Sequence, residues 1–307
     1  MLRANRTRAP RPLWFVAAGA AVLVAGGCAS VPDSATSLAA EHLGGTGVEV
    51  VPVSEVRWGA LNPARGDSGP RAADLWGDRT GAGATGFLVR FAEGFSSPPH
   101  IHNTTYRGVV IEGLIHNDDP GAAELWMPAG SYWTQPAGEV HITSAQGSGR
   151  LAYIEIQHGP YLVQPAEEAS DTGERSLNLH ASNMVWLDAP GAAGIDRSSR
   201  AASADGVRVS YLWGDPRDEQ PSAVLAALPA GFQGTLVANG PSLRIVVVEG
   251  RPRLHRADEP DGVTLEPGSY VGSQHASEQR LTLAAGEDCV LYVRTEGPLT
   301  VARHQLR

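Results

Sequence analysis

Three histidines and a tyrosine in this sequence have the types and spacing for metal chemistry. His100 and His102 stand one residue apart in "PPHIHNT". The prolines before them favour an extended chain, and in a strand residues i and i+2 project from one face. His141 follows a Pro-x-Gly turn at the start of another β-like run. Two imidazoles from one strand and one from a neighbour make a natural metal site. Neutral imidazole nitrogens suit Zn, Fe, Cu, Ni or Mn at about 2.0–2.2 Å. Tyr106 lies four residues beyond His102. Its oxygen has three possible roles: phenolate ligand, hydrogen-bond partner of a metal-bound water, or simple packing. An ordinary phenol pKa of about 10 disfavours the first unless the metal lowers it.

The elements that must position these residues are short and repeat. "LWGD" occurs at 75–78 and again at 212–215, an offset of 137. The same offset maps Gly94 onto Gly231 and "EG" at 112–113 onto 249–250. An offset of 138 maps "GSY" at 130–132 onto 268–270 and "GP" at 159–160 onto 297–298. Five landmarks in register indicate a duplication. Each half is a string of apolar runs such as "TGFLVRFA" and "YRGVVIEG", separated by turn signals. That is the pattern of an all-β sandwich or barrel, with no long helical period.

The motifs carry a family resemblance. The spacing Gly94-x5-His100-x-His102-x3-Tyr106-x6-Gly113 resembles the first cupin motif, with Tyr106 where cupins usually place a metal-binding Glu. Gly130, Pro136, Gly138 and His141 resemble the second, with Ala145 in place of its Asn. With the repeat, the chain resembles a bicupin of tandem double-stranded β-helix barrels. Its wording is similar to family 4437 of the domains of unknown function, related to the ChrR-like cupins. The resemblance implies one divalent metal ion (Fe, Zn, Mn or Ni) on His100, His102 and His141. Three-histidine iron cupins resemble thiol and diketone dioxygenases, whereas zinc-binding ChrR-like cupins resemble sensors, so both an enzyme and a small-molecule binder are open. Homodimerisation is also an expectation from the resemblance.

The repeat bears on other residues too. His100, His102, Tyr106 and His141 map to Val237, Asn239, Leu243 and Gln279, so the second site is expected to be lost. Aligned on Gly-Pro, Tyr153 and Glu155 match Leu291 and Val293, the more apolar face of their strand. That alignment turns Glu155 into the first barrel, where a metal, a metal-bound water or a buried Arg would satisfy it; a register one residue different would instead put Glu155 on the solvent face. A role as fourth ligand or general base follows from the first two. His116, in "LIHNDDP", could stand behind the metal ligands but reads better as a turn residue.

The flanks and composition set the context. Arg3, Arg6, Arg8 and Arg11 precede an apolar run from Leu13 to Ala25, then small residues and Cys28. This resembles a bacterial lipobox with Ala25 in place of the usual Leu. Residues 1–27 are expected to be an export signal, Cys28 the lipidated residue and residues 28–47 a tether. The implied location is the membrane surface, facing the periplasm, with contact through the lipid alone. The folded part then divides into 48–175 and 176–307. The formal net charge is −9, and loss of residues 1–27, with four Arg and no acid, takes it to −13. Such a surface argues against nucleic-acid partners. None of the 24 basic residues is Lys, which excludes a lysine Schiff base within the chain. Cys289, in "EDCVLYV", reads as a small buried hydrophobe.

Overall fold

The computed structural model describes residues 47–188 and 206–303. Cys28, the expected export signal and the expected tether lie outside them, apart from Gly47. The described residues form β-strands joined by turns and short 3-10 segments, with no α-helix. None of them forms a helix long and apolar enough to cross a membrane.

The strands build two jelly-roll barrels. The first has a seven-stranded antiparallel sheet, in which Tyr106–Asp118 and Ile142–Ile156 are the long central pair. Its small companion sheet pairs His100–His102 with Val163–Pro165. The second barrel has a six-stranded and a five-stranded sheet. The larger sheets of the two barrels share a common core. Their strands therefore alternate between a barrel interior and the shared interface. Phe87 and Val89 face the first interior while Leu88 faces the interface. Val224 and Ala226 face the second interior while Leu225 faces the interface. Strands buried on both faces read as continuous apolar runs, as "GFLV" and "AVLAAL" do. Cys289 belongs to the second core, 1% exposed, and burial pushes its thiol pKa up.

Two edge strands cross between the barrels and correct the division read from sequence. Val48–Val51, placed in the first domain, pairs with Tyr270–Ser273 in the second barrel's sheet. Leu177–Leu179, placed in the second, pairs with Tyr132–Gln135 in the first barrel's sheet.

The interface also relocates Glu155. Its side chain is fully buried and accepts hydrogen bonds from Tyr153 Oη (3.0 Å), Tyr292 Oη (2.8 Å), Arg294 Nε (3.1 Å) and Gln157 Nε2 (2.8 Å). The surroundings are quasi-symmetric. Trp76 donates to Tyr153 as Trp213 donates to Tyr292. Arg107 lies over Trp213 as Arg244 lies over Trp76, at 4.3 and 5.1 Å. Tyr153 thus corresponds to Tyr292 and Glu155 to Arg294, an offset of 139 rather than 138. A one-residue slip moves a strand's side chains to the opposite face. The expectation that Glu155 points into the first barrel failed for that reason. A buried Arg satisfies it, and it takes no part in the histidine cluster.

Candidate metal centre

The strand pairing brings the histidines together. His100 and His141 are a hydrogen-bonded cross-strand pair, each amide donating to the other's carbonyl at 3.0 Å. His102 lies on the same face of its strand as His100. Ring centroids are 4.3 Å apart for His100 and His141, 5.1 Å for His100 and His102, and 5.2 Å for His102 and His141. All three are buried, and one ligand nitrogen from each lies within 4.8 Å of the others.

Backbone carbonyls set the tautomers. Nδ1 of His100 faces Pro98 O at 2.9 Å, that of His102 faces Leu162 O at 2.8 Å, and that of His141 faces Glu139 O at 3.2 Å. A carbonyl can only accept, so each Nδ1 carries the hydrogen and each Nε2 presents a lone pair. Burial lowers the His102 pKa well below the ordinary value, and the neighbouring His141 and His100 lower it further. Burial and then His100 lower His141 to about 3. His100 is lowered by burial and by the charge of Arg65, against the opposing pull of Pro98 O. Three converging lone pairs, uncharged at neutral pH and oriented from behind, are a donor set that fits one divalent cation.

Tyr106 is held beside this cluster. Its hydroxyl donates to Asn117 Oδ1 at 2.9 Å, and its oxygen is 3.3 Å from His141 Nε2. Asn117 also accepts from Thr143 Oγ1 at 2.8 Å and donates to Gln135 Oε1 at 2.9 Å. Gln135 donates in turn to Glu139 O, the carbonyl that orients His141. The phenol proton is therefore directed away from the histidines and its lone pairs toward them. Burial raises the phenol pKa, which removes phenolate as the resting form.

Sequence reasoning missed Asn117 and Tyr161. Residues eleven apart face opposite sides of a regular strand. Register shifts between Val110 and Leu114 place Tyr106 and Asn117 on one face. Tyr161 stacks on His102 at 4.4 Å with its hydroxyl 3.2 Å from Nε2. Its equivalent directly after Gly-Pro in the second half is Leu299, a substitution that parallels the lost histidines. His116 is not a turn residue. It is 3% exposed within the strand Tyr106–Asp118, packed beside Trp126, and does not join the cluster.

A pocket leads to His100 and His102. Leu61, Phe91, Phe95, Trp133 and Ile154 line it, with Arg65. His141 lies behind His100 and His102, 0% exposed, in ring contact with both. The Trp133 indole lies against Gly108, where an added Cβ would fall 2.2 Å from the ring. Gly108→Ala is expected to push the indole toward the pocket and cost about 1–3 kcal/mol. Denaturant unfolding alongside metal titration checks this, and unchanged values for both would refute it.

In the second barrel, Leu243 is core at 0% exposure and Gln279 is buried. Among the described residues, the three histidines of the first barrel are the group of metal-binding type.

Two jelly rolls and a buried three-histidine pocket define a bicupin. The chain belongs to the DUF4437 family, a domain of unknown function, with the match spanning residues 49–302. Solved structures share the fold. One is a candidate dioxygenase from Nostoc punctiforme, 15% identical with TM-score 0.56, covering 85% of this chain and 87% of that one. Another is a candidate glyoxylate-induced protein from Pseudomonas aeruginosa, 13% identical with TM-score 0.52, covering 89% of this chain and 95% of that one. At these identities the likeness is one of fold. No match was found among curated proteins.

Proposed function

We propose that this chain is an exported, lipid-anchored bicupin whose first barrel is a metal-dependent enzyme, dioxygenase-like in type, acting on a small molecule. The single observation that carries this reading is the pocket ending on two of three neutral, converging imidazoles. A purely structural metal would be enclosed by a complete ligand set, whereas this cluster has one side open to a cavity. His100, His102 and His141 would hold the ion, which supplies Lewis acidity with free coordination positions. Tyr106 holds lone pairs toward that space and would accept a hydrogen bond from a bound hydroxyl. Phe91 and Phe95 exclude water from the approach. Cys28 would carry the lipid, and the second barrel would support the first.

The test is metal content of the full-length chain purified without chelator, followed by oxygen-uptake assays. About one iron, manganese or nickel per chain with substrate-dependent uptake is the expected result. Stoichiometric zinc without turnover would transfer the reading to a binding or sensing protein. Tyr106→Phe is expected to keep one metal per chain, because three imidazoles suffice, while shifting the visible spectrum of the cobalt-substituted protein. Loss of the metal in that variant would make Tyr106 a ligand.

A further inference from the structure

The two phenols beside the histidine cluster present opposite groups to it. Tyr106 gives its proton to Asn117 Oδ1 and keeps lone pairs toward His141. Tyr161 does the reverse. Its hydroxyl lies 3.2 Å from His102 Nε2. The Leu162 carbonyl fixes the His102 hydrogen on Nδ1, so Nε2 can only accept and the Tyr161 hydroxyl donates. Among the described residues, Nε2 is the one hydrogen-bond partner of that hydroxyl.

The same lone pair is the one His102 would offer to an ion. A lone pair serves one partner, so an ion on His102 turns the Tyr161 hydroxyl away from Nε2. The ring itself is held. It stacks on His102 at 4.4 Å and meets Phe87 and Tyr106 edge-on at 5.1 and 5.7 Å. Its backbone is held as well. The Tyr161 amide donates to Arg79 O at 2.8 Å. The Asn103 side chain clamps both neighbours, accepting from the Leu162 amide at 2.8 Å and donating to Pro160 O at 2.9 Å. Rotation about the phenol C–O bond is the freedom left to the proton. Tyr161 lines the pocket that leads to His100 and His102, where a ligand would meet the ion. Asn117 Oδ1, an acceptor on the same wall, is already filled by Tyr106 and Thr143.

We infer that Tyr161 is the hydrogen-bond donor to the ligand atom held on the ion, and that this atom is an anionic oxygen with lone pairs to spare, as in an enolate, phenolate or carboxylate. Hydrogen bonds to a charged acceptor are roughly twice as strong as neutral ones, so such an oxygen profits most from a fixed donor. A neutral nitrogen ligand spends its one lone pair on the ion and offers the hydroxyl nothing. Asn103 is the positioning residue behind Tyr161. The inference rests on the three-histidine reading above.

The experiment uses the full-length chain loaded with cobalt, its metal content measured first. Azide and imidazole are then titrated separately and followed by the visible spectrum. Azide keeps lone pairs on its bound nitrogen and stands in for the anionic oxygen. Tyr161→Phe should keep about one cobalt per chain, weaken azide about ten-fold and leave imidazole unchanged. Asn103→Ala, an exposed position, should reproduce part of the azide loss. Tyr106→Phe should not weaken azide, since its proton is committed to Asn117. A second readout uses the chelator-treated chain. In its nitrogen NMR spectrum, Tyr161→Phe should move His102 Nε2 toward an unbonded lone pair and leave Nδ1 in place. Azide affinity indifferent to Tyr161, equal losses for azide and imidazole, or an unmoved Nε2 signal overturns the inference alone. A chain that takes up no cobalt overturns the three-histidine reading, and the inference with it.

Discussion

Replacing His100 and His102 together by Ala is expected to abolish metal binding. The unmutated chain should carry about one ion, and the double variant none after the same loading and desalting. The effect is large because the set has only three imidazoles, and a single His141 retains no chelate. A thermodynamic readout accompanies the stoichiometric one. An ion that binds the native state alone, at a hundred times its dissociation constant, stabilises it by about 2.7 kcal/mol. For a chain of this size that is a rise in Tm of roughly 5–10 °C. Zinc added to the unmutated protein should produce such a rise, and the double variant should show none. A variant that still binds one ion with the same affinity would remove the metal centre from the first barrel.

The second large effect is predicted at Glu155. Glu155→Leu leaves Arg294, 4% exposed, without its buried counter-ion, although Arg294 keeps Glu296 Oε1 at 3.0 Å. It also strips the Tyr153 and Tyr292 hydroxyls of their shared acceptor. Removing one partner of a buried ion pair costs about 3–5 kcal/mol, so Tm should fall by roughly 10 °C or more. Glu155→Gln keeps a carbonyl acceptor and should cost less than half as much. Glu155→Leu combined with Arg294→Met should recover part of the loss, since the stranded charge is gone while the hydroxyls stay unsatisfied. Metal bound per folded chain should not change in any of the three. A variant of Glu155 that lost its metal but kept its stability would return this carboxylate to the site.

These two residue sets differ in how far they could be read from the chain. The histidines were legible because their geometry is local. Two sit on one strand at period 2, and the third is placed by a Pro-x-Gly turn whose Gly138 adopts φ +74°. The all-β duplication was legible from repeated glycines and apolar runs. Glu155 was misread because side-chain direction depends on an alignment being right to the residue, and the repeat offset drifts from 137 to 139. Asn117 was hidden by irregular register within its own strand, which breaks the alternation that sequence reasoning assumes. Tyr161 and the carbonyls of Pro98, Leu162 and Glu139 act through loop conformation, which carries no periodic signal. The crossing of the two edge strands was equally invisible, because partner choice across a sheet is a property of the whole chain.

That crossing has a consequence for synthesis. Val48–Val51 leaves the ribosome early, but its partner Tyr270–Ser273 is made about 220 residues later. During translation the strand has no neighbour in the growing barrel beside it. It joins its sheet only when most of the second jelly roll has emerged, a closure of high contact order and therefore slow. In the interval its backbone N–H and C=O groups are open to adventitious pairing. A stalled or truncated product lacking the last strands is left with an unpaired, valine-rich "VEVV" segment, an edge open to aggregation or proteolysis.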